Sequence, residues 1–405
     1  MKLLQNTDYS KYITYLLIAY AFSFPLSKAA TNILEVLILV LWVLEAHWKE
    51  KFLLYKNNIF TFSIALLIGF SLISILWHGN LEVSLRYIFK YRHFFLIFVF
   101  YSSFDRRFTN HIIGAFILAM FISELFSYAI FFELIHYKDR LPSDPSPFMF
   151  HTTYSTVLAF TVSILLIKLL IEKNSKYKIF YALFFITATT NLFINGGRTG
   201  QIIFIILIFI TFFSYVKHKF KAALFSVAIL FITFFLAFSF STNFQNRSKQ
   251  LYNDFDNMIT KDEYSQSGAI KVALTTLGFY TYKDHPLLGT GLSYRMKDIE
   301  QYADKHGFDG KFLKTFSDYH NSFVTISVQL GIIGVLISIL IVYSLLTFKI
   351  DNKEYKTMSI LFAVSFLLFS LTQNTLHTMN PMVFFTLFGG LFNALSRHKT
   401  GIIFH

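Results

Sequence analysis

Arg198 and His320 are the two residues whose setting in this 405-residue chain most suggests chemistry. Arg198 lies in Asn195-Gly196-Gly197-Arg198-Thr199-Gly200, between two apolar runs. The glycines permit a tight turn and close backbone approach. A guanidinium there presents a planar fork suited to phosphate. The plain alternative is a hairpin turn whose arginine snorkels to a membrane surface. His320 and Asn321 open another apolar run, which carries Gly331-Ile332-Ile333-Gly334. Histidine is a natural general base near neutral pH, and its alternative here is an amphipathic anchor. A polar pair at a helix mouth, followed by Gly-x-x-Gly, lets the helix approach its neighbours and hold the imidazole.

Other polar residues interrupt apolar runs. Arg86, Lys90 and His93 fall at i, i+4 and i+7, on one helical face. Charge inside a membrane helix is expensive and marks function by default. The alternative has Arg86 snorkelling outward while Arg92 and His93 line a wet crevice. His151 and Tyr154 start one apolar segment and His377 precedes another; interfacial anchoring is the simpler reading of these. Glu35, Glu124 and Glu133 are isolated acids suited to a proton path, without partners at helical spacing. Asp254-Phe255-Asp256 has the form of a metal-holding acid pair, but such pairs are common by chance, and this one reads as solvated. The chain has no His-Glu-x-x-His, no Gly-x-x-x-x-Gly-Lys and no Gly-x-Ser-x-Gly, which argues against a zinc protease, an ATP-driven pump and a hydrolase.

The elements that position these residues are membrane helices. The chain is 55% hydrophobic and 15% charged, with charges absent from long runs. About twelve apolar segments are expected, at 12–24, 29–46, 59–77, 85–104, 110–136, 151–171, 178–195, 199–216, 221–241, 319–348, 355–376 and 381–396. The first has the look of a signal peptide, but a second apolar run follows at once, so two spans and no cleavage are expected. The net charge of +13 sits largely in short connections, which favours a topological cause over a nucleic-acid surface. There are no cysteines, so disulfide and thiolate chemistry are excluded.

Alternate connections carry Lys2/Lys11, Lys49/Lys51/Lys56, Arg106/Arg107, Lys173/Lys176/Lys178, Lys217/Lys219/Lys221, Lys349/Lys353/Lys356 and Arg397/Lys399. The positive-inside rule puts this set, and both termini, in the cytoplasm. The expected organisation is all-α: nine spans over 1–241, one large outer loop over 242–318, and three spans over 319–405. The loop is too long for a passive connection. Within it, Ser267 to Tyr282 has helical length but weak periodicity.

The chain resembles the O-antigen ligase and polymerase superfamily of bacterial inner membranes. His320-Asn321, nine residues, then Gly331-x-x-Gly334 fits that family's His-[Asn/Ser/Gln]-x9-Gly-x-x-[Gly/Thr/Tyr] pattern. His285-Pro286-Leu287-Leu288-Gly289-Thr290-Gly291 is similar to its His-Pro-Leu-Leu-Gly-x-Gly. Gly197-Arg198-Thr199-Gly200 resembles its arginine turn, with Ile202 in place of a leucine. The resemblance implies a membrane-embedded C-class glycosyltransferase with a periplasmic active face. Such an enzyme moves a polysaccharide from undecaprenyl diphosphate to a sugar hydroxyl, with inversion and without cofactor or metal. Ligases use the lipid A-core as acceptor, and their single dominant outer loop is similar to the one here. Polymerases join lipid-linked repeats and more often have two.

On that resemblance Arg198 meets the diphosphate, with Arg86 and Lys90 behind it and Arg247 and Arg295 in the loop as weaker candidates. His320 is the general base, or alternatively orients the donor phosphate. Asn321 orients the histidine or a sugar, and His151 joins the substrate-facing side. A transporter or flippase of lipid-linked sugars is the rival from another class; it needs no chemistry and gives Glu35 or Glu124 more weight than His320.

Overall fold

The computed structural model describes residues 8–77, 81–261, 267–292, 299–316 and 318–397, which form helices and no strands. In chain order the helices are α1 (Tyr9–Ser23), α2 (Lys28–Glu45), α3 (Trp48–Lys56), α4 (Ile59–Ile73), α5 (Leu81–Lys90), α6 (Phe95–Ser103), α7 (Thr109–Phe131), α8 (His151–Ile171) and α9 (Ser175–Ile194). There follow α10 (Arg198–Tyr215), α11 (Lys219–Phe240), α12 (Thr242–Lys261), α13 (Ser267–Asp284), α14 (Glu300–Lys305), α15 (Gly310–Leu313), α16 (Ser322–Thr347), α17 (Lys353–Ser370) and α18 (Met379–Ser396).

Seven described segments are long and apolar enough to cross a membrane: Ile59–Trp77, Arg106–Phe131, His151–Ile171, Ser175–Ile194, Arg198–Tyr215, Lys219–Phe240 and Ser322–Thr347. Helices α2 and α3 make an eighth if counted as one span bent by 109°. The chain is thus a polytopic membrane protein. The apolar run expected over 85–104 is broken: α5 ends at Lys90 and a 3-10 turn, Tyr91–Phe94, precedes α6. That break turns Arg92 and His93 toward Glu35 on α2. Arg92 Nε lies 3.2 Å from Glu35 Oε1, and His93 Nδ1 is hydrogen-bonded to the other oxygen. Glu35 is therefore a partnered acid, contrary to the sequence expectation. Glu133 lies past the end of α7, exposed, with φ +57°.

The core is aromatic. Helices α8 and α18 are buried almost all round, as central helices must be. Phe388 of α18 stacks edge-on against Phe116 and Phe160, both at 4.8 Å between ring centroids. Helix α10 lies closely on α8 because Gly197 and Gly200 carry no side chain. A Cβ on Gly200 would stand 2.3 Å from the Ser155 backbone. Small residues at such crossings replace the hydrophobic drive that lipid cannot supply.

Most of the basic connections meet at one end of the bundle. Arg106 donates to the Arg397 carbonyl at 2.7 Å, and Lys168 pairs with Glu354 at 2.6 Å. Asn58 donates to Asn393 at 2.9 Å. Segment 242–318 carries its own small apolar core, with Ala273, Leu274, Leu277, Ile299, Ala303 and Leu313 packed onto Tyr319 and Val328. It folds onto α16 through Val328.

Candidate functional site

Asn195 to Gly200 form a buttressed turn. The Asn195 carboxamide accepts from Gly197 N at 3.0 Å and donates to Ser146 Oγ at 2.6 Å. Ser146 Oγ donates in turn to Asp144 Oδ1 at 2.8 Å, and Asp144 Oδ2 meets His151 Nδ1 at 3.1 Å. Burial works against the Asp144 carboxylate, but His151 and Ser146 outweigh it and hold its pKa below the usual value. This network fixes the start of α10, where Arg198 emerges. Its Nη1 stands 3.8 Å from Asp254 Oδ2 of α12. Two further cations stand within electrostatic reach, Arg247 of α12 and Lys271 of α13. Burial, and then the charge of Arg198, lower the pKa of Lys271. Three cations thus gather around the Arg198 turn against two carboxylates, Asp254 facing Arg198 and Asp144 beside Gly196 with Arg247. That is the electrostatic form of an anion site.

His320 precedes α16. Its φ of +50° is left-handed, an uncommon state for a residue with a side chain. Asp318 holds it there by accepting from His320 N at 2.7 Å, and the carboxylate lies 3.7 Å from His320 Nδ1. Phe316 packs edge-on against the imidazole at 5.7 Å. Asn321 is the cap of α16: its side chain accepts from Phe323 N at 3.0 Å and Val324 N at 3.2 Å.

The nine-residue spacing from Asn321 to Gly331 has a structural meaning. Ser322 to Leu330 form the first segment of α16, and Gly331 breaks the helix at φ +61°, ψ −150°. The break releases backbone groups that the 285–292 segment then satisfies. Thr290 N donates to Val328 O at 2.8 Å and Gly291 N to Gln329 O at 2.9 Å. In return Ile332 N donates to Pro286 O at 2.8 Å. Irregular backbone within a membrane span persists where protein satisfies it in this way. Gly289 (φ +69°) and Gly331 make the contact possible, since a Cβ on Gly331 would lie 2.4 Å from Leu287 O. The two glycine-rich motifs are two halves of one joint.

The turn between α17 and α18 ties the two neighbourhoods together. Thr372 Oγ1 lies 3.3 Å from Thr199 Oγ1, next to Arg198. Ser322 donates to Gln373 O at 2.9 Å and shares a hydrogen bond with Thr375 at 2.8 Å. His377, expected as an interfacial anchor, is buried in this turn. It bonds Tyr91 Oη at 2.9 Å and Asn374 Oδ1 at 2.9 Å. Lys90 stacks over Tyr87 at 5.1 Å and lies within electrostatic reach of Asp318.

Arg198, Arg247 and His151 thus come together around the first turn of α10, while His320, Asn321 and Lys90 come together at the mouth of α16. The 372–377 turn bridges both groups. Arg86 points away: its side chain is 74% exposed and bonds Glu82 on its own helix. Arg295 lies outside the described residues. Asp254, read as solvated from sequence, is buried and paired, whereas Asp256 is exposed. Sequence reasoning missed Lys271 and Asp318. Their signal was their place in polar stretches that fold back on the helix mouths, and spacing carries no trace of that.

A family model described as O-antigen ligase matches residues 182–339. No curated protein matches the chain significantly. The matched stretch runs from α9 through the break in α16, and includes Arg198, Asp254, Lys271 and His320. By this match the segment that builds most of the site is similar to the O-antigen ligase family.

Proposed function

We propose that the chain is an O-antigen ligase. It transfers a polysaccharide from undecaprenyl diphosphate to a sugar hydroxyl of the lipid A-core, on the periplasmic face of a bacterial inner membrane. The observation that carries this reading is a cation-rich turn and a histidine beside the cap of α16, tied together by the 372–377 turn and both on the segment matched to the family. About twelve crossings, cytoplasmic termini and a periplasmic 242–318 segment complete the arrangement. The clustering of basic connections at the opposite end supports that orientation.

The donor diphosphate gathers negative charge as the anomeric C–O bond breaks. Arg198, with Lys271 and Arg247, stabilises that charge. The acceptor hydroxyl attacks the opposite face of the anomeric carbon and gives its proton to the His320 imidazole. Asp318 and Asn321 hold that imidazole at the helix mouth. The new glycosidic bond is inverted, and the lipid diphosphate leaves. Nothing in these steps consumes ATP. His151 with Asp144 keeps the arginine turn in place, and Lys90 faces the acceptor side.

The test is transfer by the purified full-length protein from a glycan-loaded polyprenyl diphosphate to lipid A-core. Wild type forms the conjugate; Arg198→Ala and His320→Ala at equal abundance do not. Near-normal transfer by both variants overturns the assignment. A product built only on a second lipid-linked repeat makes the chain a polymerase.

A further inference from the structure

Glu124 of α7 is only 1% exposed, inside a membrane-crossing segment. Among the described residues, neither of its carboxylate oxygens has a hydrogen-bond partner. Ser123 Oγ, next to it in the chain, is fully buried and equally without one. An acid inside a membrane bundle is costly and is expected to face a partner. Glu35 follows that rule, with Arg92 and His93 on its two oxygens. Glu124 does not.

Oxygen atoms from three helices gather around it. Helices α7 and α9 run side by side in one register. Phe121 packs edge-on against Phe184 at 5.2 Å, Glu124 stands beside Thr187, and Ser127 Oγ accepts from Asn191 Nδ2 at 2.9 Å. From α8 the Tyr154 hydroxyl donates to Asn191 Oδ1 at 3.0 Å and lies within reach of Ser123, Ser127 and Glu124. Ser127, Tyr154 and Asn191 are fully buried. The hydroxyl protons nearby point elsewhere: Tyr128 donates to Thr187 O at 2.7 Å and Thr187 to Phe184 O at 3.2 Å. A carboxylate accepts and does not donate, so lone pairs converge here and need a positive partner.

We propose that Glu124, Ser123, Ser127, Asn191 and Tyr154 bind a monovalent alkali cation, of which sodium is the probe. The donor atoms are carboxylate, hydroxyl and amide oxygens, the hard ligands such an ion takes. One carboxylate cancels one positive charge, whereas a divalent ion leaves a charge uncancelled among apolar helices. The ion ties α7, α8 and α9 together one turn below Asn195. Asn195 N donates to Asn191 O at 3.1 Å, and its carboxamide accepts from Gly197 N in the arginine turn. The role is structural: the ion steadies the base of that turn and takes no part in glycan transfer.

The test follows thermal unfolding of the full-length protein in detergent, with sodium chloride exchanged for choline chloride at constant ionic strength. Wild type is expected to melt higher in sodium, with a rise that saturates as ligand binding does. Glu124→Gln is expected to lose the rise. Tyr154→Phe removes one ligand oxygen and is expected to raise the sodium concentration at half-effect by about threefold or more. If a proton neutralises Glu124 in place of a cation, glutamine is its equivalent. Equal melting of wild type in the two salts, with Glu124→Gln unchanged from it, therefore overturns the proposal. A sodium rise that survives in Glu124→Gln overturns it too, as does a larger rise with calcium chloride that the same variant abolishes. Hydrogen exchange on wild type needs no variant. Sodium is expected to slow exchange in peptides covering 123–128 and 187–195 and to leave α17 unchanged; exchange in those peptides that ignores sodium overturns the proposal. None of these readouts requires turnover, so they stand apart from the proposed activity.

Discussion

Arg198 and Asp254 face each other at 3.8 Å, across the junction between a membrane helix and the segment that folds over its mouth. The distance allows attraction but not a tight bidentate pair. Asp254 also accepts from Gly268 N at 3.4 Å, so the same carboxylate touches α12, α13 and α10. It acts as a counter-charge for Arg198.

Removing that counter-charge has a direction. Asp254→Asn is expected to raise affinity for inorganic diphosphate a few-fold, because Arg198 no longer faces a resident anion. Arg198→Lys is expected to retain part of the binding and Arg198→Ala almost none, since a lysine keeps the charge and loses the fork. Isothermal titration in detergent checks both. Weaker binding by Asp254→Asn contradicts the counter-charge role.

Lys271 gives the site a pH signature. Its folded-state pKa is lowered by burial and by Arg198, so its protonated form destabilises the fold. Between that lowered value and the ordinary lysine value of about 10.4, the unfolded chain holds more protons, and stability rises with pH. Below both values the penalty is present in full. Lys271→Met is therefore expected to melt higher than wild type at neutral pH, to lack the alkaline gain, and to bind diphosphate more weakly. Thermal melts across the alkaline range, with and without diphosphate, check this; equal curves for both proteins contradict it.

The joint at Gly331 should be intolerant of a methyl group. Gly331→Ala and Gly289→Ala each place a Cβ within 2.4–2.5 Å of backbone, at positive φ. Each is expected to destabilise the protein by about 1–3 kcal/mol or more. Gly69→Ala is the control, because nothing lies within 4 Å of its added Cβ. A melting temperature for Gly331→Ala equal to that of Gly69→Ala contradicts the joint.

The helices were legible from apolar runs, because bilayer length imposes a strong signal on the sequence. The starts at His151, Arg198 and Ser322 lie within a few residues of the expected segments. Breaks were not legible. Gly331 sits inside an unbroken apolar stretch, and the charges around Tyr91 to Phe94 read as one helical face; each break is stabilised by partners far along the chain, Glu35 for the first and residues 286–291 for the second. Arg198 and His320 stood out because polar residues interrupt apolar runs. Lys271 and Asp318 did not, since charge in a long polar segment is unremarked until folding brings it to a helix mouth. Helix α12 was likewise unforeseen, and its buried Asp254 is distinguished from exposed Asp256 by folding alone.

His320 as base carries a separate expectation. His320→Ala should lose about 10²–10⁴-fold in rate at unchanged donor affinity. Asp318→Asn should lose only part of the rate, because it loosens the backbone at His320 without removing the base. Single-turnover rates and donor binding for the three proteins decide this; a near-normal rate in His320→Ala contradicts the role.

The central claim is tested most directly in a strain deleted for this gene, with surface lipopolysaccharide and the undecaprenyl-linked pool resolved side by side. The account predicts a lipid A-core bare of added glycan, long polymer accumulating on undecaprenyl diphosphate, and recovery with wild type but not with Arg198→Ala or His320→Ala. A core that carries a single repeat would make the chain a polymerase, and repeats trapped on the cytoplasmic face would contradict the enzymatic account altogether.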